Sequence, residues 1–323
     1  MNSSLAKRFY YLMKLGREFE LRAKEEYMNG NIAGFLHLDI GQEACSVGSM
    51  VAFDKGDVFT HYREHVLALA RGMDVKRVMA ELFGKKTGIS KGKGGSMHLF
   101  EPALNFYGGD AIVAGHLPIA VGCAYARKIQ GENAGVFAIF GDGASNAGAF
   151  FESINIAAAW KLPIIFFLEN NYYAIGTRIN WVSPFEELFN KAKNYMPAKR
   201  IDGMDVCEVY SAVMEAKNYI ENGLGPYFIE AETYRYEGHS MSDNGKYRSE
   251  EEIEIFKSKD PIKRLKEKAL NLGIIEKEYF DEIDKKVEKE IEEAVEFALN
   301  SPEPELNELY EDVFCKECEN VVS

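Results

Sequence analysis

Residues 136–177, VFAIFGDGASNAGAFFESINIAAAWKLPIIFFLENNYYAIGT, restrict the fold more than any other stretch of the chain. Positions 136–140 form an apolar run with the length and composition of a buried strand. Gly141-Asp142-Gly143 follows without a spacer, and a small-residue segment then leads into Phe150, Phe151, Ile154 and Ile156. A second apolar run at 164–168 ends on Glu169-Asn170-Asn171. Strand, tight turn, helix and strand in that order form a βαβ unit, because parallel neighbours need a crossover between them. The expected fold class is therefore α/β, a mostly parallel sheet flanked by helices, with helical extensions at both termini. Open sheets of this class bind ligands at the carboxyl ends of their strands.

Asp142 and Asn171 lie 29 positions apart (171 − 142), yet the crossover can bring both to that edge. A carboxylate, an amide oxygen and nearby carbonyls are hard oxygen ligands, suited to Mg2+ or Ca2+. The flanking glycines admit close backbone approach, and the helix that follows offers N–H groups to an anion. A carboxylate beside a phosphate needs a bridging cation, so the pair reads as a site for Mg2+ plus diphosphate. Taken singly, GDG and Asn-Asn are ordinary turn sequences; their joint placement at two strand ends carries the reading. A dinucleotide fingerprint would need glycine where Asn146 stands, and residues 84–96 contain no GxxxxGK[ST] phosphate loop.

The rest of the chain extends this reading. Residues 5–29 show helical spacing of Leu5, Phe9, Leu12, Met13, Leu15 and Phe19 and form a scaffold helix. A small-residue helix at 42–50 follows Gly34-Phe35-Leu36-His37-Leu38, where His37 on its residues alone reads as a core or capping histidine. In Thr60-His61-Tyr62-Arg63-Glu64-His65, Arg63 offers a planar fork matched to phosphate and Tyr62 a hydroxyl donor. The polar, glycine-rich segment 85–98 is expected to be a loop with solvated lysines and no catalytic role. A helix at 119–126, a helix at 206–222, a strand at 227–234 and an amphipathic helix at 278–299 complete the pattern. The organisation expected is an N-terminal helical arm (1–30), an α/β domain (31–248) and a C-terminal helical segment and tail (249–323).

Composition excludes several classes. The 46% hydrophobic content fits a globular chain with a sizeable core, and the formal charge of −13 argues against a nucleic-acid surface. No apolar run approaches membrane-spanning length. The N-terminus lacks the features of a signal or transit peptide, so the expected location is cytoplasmic. The odd count of five cysteines gives no disulfide framework. Cys45 and Cys123 read as reduced core residues, and Cys315-x-x-Cys318 as a free pair without the second half of a zinc site.

Beyond residues 136–177, the segments GFLHLDIGQEA (34–44), THYREH (60–65), KGKGGSMHLF (91–100), FYGGDAIVAGHLP (106–118) and YRYEGHSMSD (234–243) carry a family resemblance. With GDG, helix and NN they resemble the alpha subunit of the thiamine diphosphate-dependent 2-oxoacid dehydrogenase component, of the pyruvate or acetoin dehydrogenase type. The resemblance implies thiamine diphosphate and Mg2+ as cofactors, with Asp142, Asn171 and the Tyr173 carbonyl on the metal. It sets Tyr62, Arg63 and His239 against the diphosphate and adds Gly143 and Ala144 to the cofactor site. Val113 would be the aliphatic wedge that bends the cofactor, with backbone contacts from Ala111 and Val113 to its aminopyrimidine. His37 would lie near the substrate, and His37 and His239 are the candidate catalytic residues.

Two positions depart from the family pattern, Asp110 and Ala111, the second posing a difficulty only if its site needs positive φ. Ser240 matches a serine phosphorylated in mitochondrial relatives. The family's second serine is absent here, so that regulation is not expected. The activity implied is oxidative decarboxylation of a small 2-oxo acid, pyruvate first, with reductive transfer of the acyl unit to a lipoyl group; acetoin cleavage is the alternative. The family's activating glutamate comes from a second α/β unit that the sequence lacks. A beta subunit is therefore implied, in an α2β2 heterotetramer, together with a lipoyl-bearing acyltransferase, and neither nucleic acid nor membrane is expected as a partner.

Overall fold

A computed structural model describes residues 2–132 and 134–313. The first helix, α1 (Ser3–Met28), is capped by Asn2, whose Oδ1 accepts from the Leu5 N–H at 2.9 Å. After α2 (Glu43–Ala52) come β1 (Asp57–His61), α3 (His65–Arg71), α4 (Val75–Leu82), β2 (Phe106–Asp110) and α5 (His116–Gln130). The βαβ unit read from sequence follows as β3 (Val136–Gly141), α6 (Gly148–Ala159) and β4 (Ile164–Asn170). A two-stranded hairpin, β5 (Tyr173–Ala174) and β6 (Thr177–Arg178), precedes β7 (Ala198–Asp202), α7 (Val206–Glu221) and β8 (Tyr227–Glu232). The C-terminal part is α8 (Glu250–Lys257), α9 (Pro261–Asn271) and α10 (Lys277–Asn300).

Six strands form one parallel sheet in the order β2-β1-β3-β4-β8-β7. The expectation of an α/β fold with a mostly parallel sheet is borne out. β3 pairs with β4 over its whole length, Val136 with Ile164 through Gly141 with Glu169. Both are buried on both faces, which is why they read as unbroken apolar runs. Side chains alternate between two cores. Phe137, Ile139, Ile165, Phe167 and Ile229 belong to the core shared with α1, α2, α7 and α10, while Ala138, Phe140, Phe166 and Phe228 belong to the core shared with α5 and α6. Connections that move along the sheet in opposite directions lie on opposite faces, as the right-handed crossover rule requires.

Chain direction along the sheet reverses between β1 and β3. From β1 the chain runs outward to β2, and from β3 it runs the other way to β4. This switch point opens a crevice at the carboxyl ends of the strands.

Every residue of α2 is buried, and its small residues allow close packing on α7. A Cβ at Gly48 would stand 2.8 Å from Val209, so any side chain there would push the two helices apart. α10 buries Phe280, Ile283, Val287, Ile291, Ala294, Val295 and Ala298, the face anticipated from sequence, against α1 and α4.

Several expectations are corrected in detail. The segment after β3 is not yet helix: a 3-10 turn over Asp142–Asn146 comes first, so its N–H groups, not those of α6, lie next to Asp142. α5 starts at His116 rather than 119. The 85–98 segment is tied to wholly buried Glu81, whose carboxylate accepts from the N–H groups of Ser90, Gly92, Gly94 and Gly95 at 2.8–3.0 Å. Its lysines are paired rather than simply solvated, Lys85 with Glu303, Lys86 with Glu305 and Glu308, and Lys91 and Lys93 with Asp312. Cys123 is half-buried, its thiol donating to Asp57 at 3.1 Å, whereas Cys45 is a core residue. The Cys315 and Cys318 pair lies outside the described residues.

Candidate active site at the switch point

The crevice between β1 and β3 deepens into a cavity of about 500 Å3. All eleven residues singled out from the sequence line it: His37, Tyr62, Arg63, Ala111, Val113, Asp142, Gly143, Ala144, Asn171, Tyr173 and His239. They arrive from separate elements. His37 precedes α2, Tyr62 and Arg63 follow β1, Ala111 and Val113 follow β2, Asp142 to Ala144 follow β3, Asn171 and Tyr173 follow β4, and His239 follows β8. A Cβ at Gly143 would meet the Ala174 Cβ at 2.7 Å, so glycine lets the turn after β3 pack against β5.

Asp142 is buried, and its Oδ2 has no hydrogen-bond partner among the described residues. Burial pushes its carboxyl up to about 6, against the pull of the nearby Arg235 and Lys191 cations. Lys191, itself buried, holds the turn from behind by donating to Ser145 O at 3.1 Å and to Asn146 Oδ1 at 2.7 Å. Asn171 donates its amide N–H to Gln42 Oε1 at 2.8 Å, and its Oδ1 accepts from the Tyr173 N–H at 3.3 Å. His37, Tyr62 and His239 form a ring cluster with centroids 4.5–5.6 Å apart. The Nδ1 atoms of both histidines are buried without partners among the described residues.

Burial drives the site histidines down, with Arg63 adding to the effect on three of them. His37 falls to about 2, His61 to about 3 and His239 to about 4. At neutral pH His239 is thus a neutral hydrogen-bonding group rather than a cation. Positive charge comes from Arg63 and from a residue given no role in the sequence reading, Arg235. Arg63 donates to Leu38 O at 2.6 Å and to His239 O at 2.7 Å, two of the five donors of a guanidinium. Arg235 is buried, donates to Ile175 O at 3.1 Å and to Tyr247 Oη at 2.8 Å, and has an Nε without a partner among the described residues.

Three further residues of the cavity were not anticipated. Buried Glu169 meets His61, with Oε2 3.2 Å from Nε2, and its Oε1 has no partner among the described residues. Burial raises its carboxyl well above the usual range. His116 holds Ile139 O at 2.8 Å. Glu169 could have been found by extending the strand-end rule, since it lies at the end of β4, whereas His61 ends a strand that its own residues do not display and His116 opens α5.

The departures at 110 and 111 now have a local account. Ala111 is not among the described residues with positive φ; that conformation falls on Ala114, at +66°. Asp110 closes its own turn, Oδ1 accepting from the Ile112 N–H at 2.7 Å.

His116 permits a direct test of site electrostatics. Its pKa is lowered to about 4 by burial, then by His61, from an ordinary value of 6.5. The unfolded chain therefore binds one more proton than the folded chain between those values. This part of the stability is present above pH 6.5 and is lost as pH falls toward 4. Relative to His116→Gln, the unaltered chain should lose about 1.4 kcal/mol per pH unit in that window. Denaturant unfolding at pH 7.5 and 5.5 checks this; parallel pH dependences would contradict it.

The donor set bears on what the cavity can hold. Among the described residues no three His, Cys, Asp or Glu side chains are placed to share a metal ion. A cation on Asp142 would therefore need amide and carbonyl oxygens, and oxygens brought by an anionic ligand. Unpartnered Asp142 Oδ2 and Arg235 Nε fit such a pair, one facing a cation and the other an anion. These buried orphans are costly unless a ligand satisfies them, and the donor set fits Mg2+ with a diphosphate.

Comparison with known proteins agrees with this geometry. Residues 11–307 match the dehydrogenase E1 component family. The chain is 44% identical over 307 residues to the pyruvate dehydrogenase E1 component subunit alpha of Rhizobium meliloti, covering 94% of this chain and 88% of that one. The Zymomonas mobilis subunit of the same name is 44% identical over 309 residues, covering 94% and 87%. The somatic mitochondrial form from Homo sapiens is 44% identical over 305 residues, covering 94% and 77%.

Proposed function

The chain belongs to the dehydrogenase E1 component family, and from that premise we propose that it is the alpha subunit of a pyruvate dehydrogenase, acting with a beta subunit to decarboxylate pyruvate oxidatively and acetylate a lipoyl group. The observation that carries the reading is the convergence of eleven sequence-nominated residues on one cavity at the switch point. The relatives described above favour pyruvate over acetoin.

Thiamine diphosphate, when bound, supplies the electron-sink chemistry that decarboxylation of a 2-oxo acid needs. The protein's part is to bind and orient. The Asp142 carboxylate, the Asn171 amide oxygen and the Tyr173 carbonyl would hold Mg2+. Arg63 and Arg235 would oppose the diphosphate charge, Tyr62 and His239 would contribute neutral hydrogen bonds, and Gly143 and Ala144 would offer backbone at the turn. Val113 and the backbone of Ala111, which line the cavity, would hold the aminopyrimidine. His37, uncharged and beside Tyr62 and His239, is positioned to hydrogen-bond the substrate rather than to pair with its carboxylate.

A partner subunit is favoured by the form of the cavity. Three apolar side chains that line it are more than half exposed, Phe35 at 66%, Val113 at 55% and Ile175 at 61%. The outer faces of α5 and α6 carry exposed Ile119, Tyr125, Ile129, Phe151, Ile156 and Trp160, a patch of the kind buried in obligate interfaces. The carboxyls lining the cavity are Asp142 and Glu169, which stand at the ends of adjacent strands on the metal side. A glutamate facing the pyrimidine would therefore come from the beta subunit. A lipoyl-bearing acyltransferase as acceptor and a cytoplasmic location belong to the same proposal. Among the described residues no helix is long and apolar enough to cross a membrane.

The test is turnover by the alpha–beta complex with a lipoyl acceptor, pyruvate and acetoin being offered separately. Pyruvate should be preferred in kcat/KM by at least about a hundredfold, a difference of about 2.7 kcal/mol in transition-state binding. A preference for acetoin would move the assignment to acetoin cleavage.

A further inference from the structure

A chain of hydrogen bonds runs from the core to the amide assigned to the metal. Asp39, wholly buried ahead of α2, accepts from Gln42 Nε2 at its Oδ1 (2.6 Å) and from Ser46 Oγ at its Oδ2 (2.9 Å). Gln42, also wholly buried, turns its Oε1 the opposite way and accepts from Asn171 Nδ2 at 2.8 Å. The Asp39 N–H is fixed in turn by wholly buried Glu20, at 3.0 Å.

A primary amide has one donating end and one accepting end. The Asp39 oxygen takes the donor end of Gln42, so the acceptor end must face Asn171. Asn171 must meet it with its own NH2, and its oxygen is thereby turned the other way. Ser46 can donate or accept, so Asp39 Oδ1 serves as acceptor in either protonation state. The Tyr173 N–H, at 3.3 Å from Asn171 Oδ1, agrees in sense. A carbonyl oxygen has two lone pairs, and the second is left for the cavity.

We propose that Gln42 is a positioning residue: through the relay Asp39–Gln42–Asn171 it fixes the Asn171 carboxamide with its oxygen toward the divalent cation. The inference rests on the reading of Asn171 as a metal ligand. It also explains why a glutamine is buried 129 positions away in sequence from the amide that it touches. Without the relay the carboxamide can rest with its NH2 toward the metal site, and it must then turn before its oxygen can ligate, because NH2 cannot.

The test uses the alpha–beta complex and reads the Mg2+ concentration that half-saturates thiamine diphosphate binding by calorimetry, with Mn2+ binding by electron paramagnetic resonance as a second readout. Gln42→Met keeps length and removes both hydrogen bonds. It should raise the half-saturating Mg2+ concentration about 10–100-fold, the usual loss when the partner of a metal ligand is removed. Gln42→Glu shares one proton with Asp39 and still offers an oxygen to Asn171 Nδ2, so it should stay within about threefold of the unaltered complex. Asn171→Asp has oxygen at both ends and needs no orientation. In that background Gln42→Met should change metal affinity by less than about twofold.

Three results would overturn the relay: unchanged Mg2+ dependence in Gln42→Met, an equal loss in the Asn171→Asp background, or a Gln42→Glu loss as large as that of Gln42→Met. Metal-independent binding by the unaltered complex would instead overturn the reading of the site, and the relay with it.

Discussion

Asp142→Ala should abolish metal-dependent cofactor binding and lower turnover of the alpha–beta complex at least about a thousandfold, because it removes the one carboxylate of the proposed metal site, worth several kcal/mol. The residues that remain cannot replace it. Glu169, the other cavity carboxyl, is occupied by His61 and pushed toward its protonated form by burial. Asn171 and the Tyr173 carbonyl are neutral. With Asp142 gone, a diphosphate would keep Arg63, Arg235 and the neutral hydrogen-bond donors but lose its bridging cation, and binding should become weak and insensitive to Mg2+.

The fold itself should survive this substitution. Asp142 Oδ2 makes no hydrogen bond to the described residues, and a buried carboxyl without full partners is a functional feature held at a cost to stability. The ligand-free variant should melt within a few degrees of the unaltered chain, while losing the rise in melting temperature that cofactor and Mg2+ give. A variant that keeps this rise would show that the metal sits elsewhere.

The second large effect concerns the partner. The chain alone should turn over pyruvate at less than about 1% of the rate of the alpha–beta complex, since placing the activating group on the reacting centre contributes factors of this size or more. The cavity supports the expectation, its apolar lining residues Phe35, Val113 and Ile175 being left to solvent in the single chain. Activity should return on mixing with the beta subunit. Full turnover by the chain alone would overturn the proposal that the site is shared.

How much of this was legible from residues alone depended on how each element is buried. β3, β4 and β8 announce themselves because they are central strands with both faces covered. β1 (DVFTH) and β2 (FYGGD) do not, being short and rich in polar residues or glycine. β7 (AKRID) is an edge strand whose Lys199 and Arg200 suit an exposed sheet margin but mask a strand pattern. Missing β1 had a consequence in the site, since His61 could not be placed at a strand end.

The metal side was legible because Asp142 and Asn171 follow strands that the sequence displays. The residues that set its electrostatics were not. Arg235 looks like one charge among many until burial and an unpartnered Nε distinguish it. His239 seems to add positive charge until burial beside Arg63 makes it neutral. Gln42 pairs with Asn171 across most of the domain, a contact that no local pattern encodes. Periodicity reports which face of an element is apolar; it does not report what a buried polar group touches.

The most direct test of the central claim, a metal–diphosphate site at the switch point, is calorimetric titration of the alpha–beta complex with thiamine diphosphate, with Mg2+ present and after its removal by a chelator. A bridging cation predicts tight binding with Mg2+ and an affinity at least about a hundredfold weaker without it, the equivalent of about 2.7 kcal/mol. Equal affinity under the two conditions would contradict the claim.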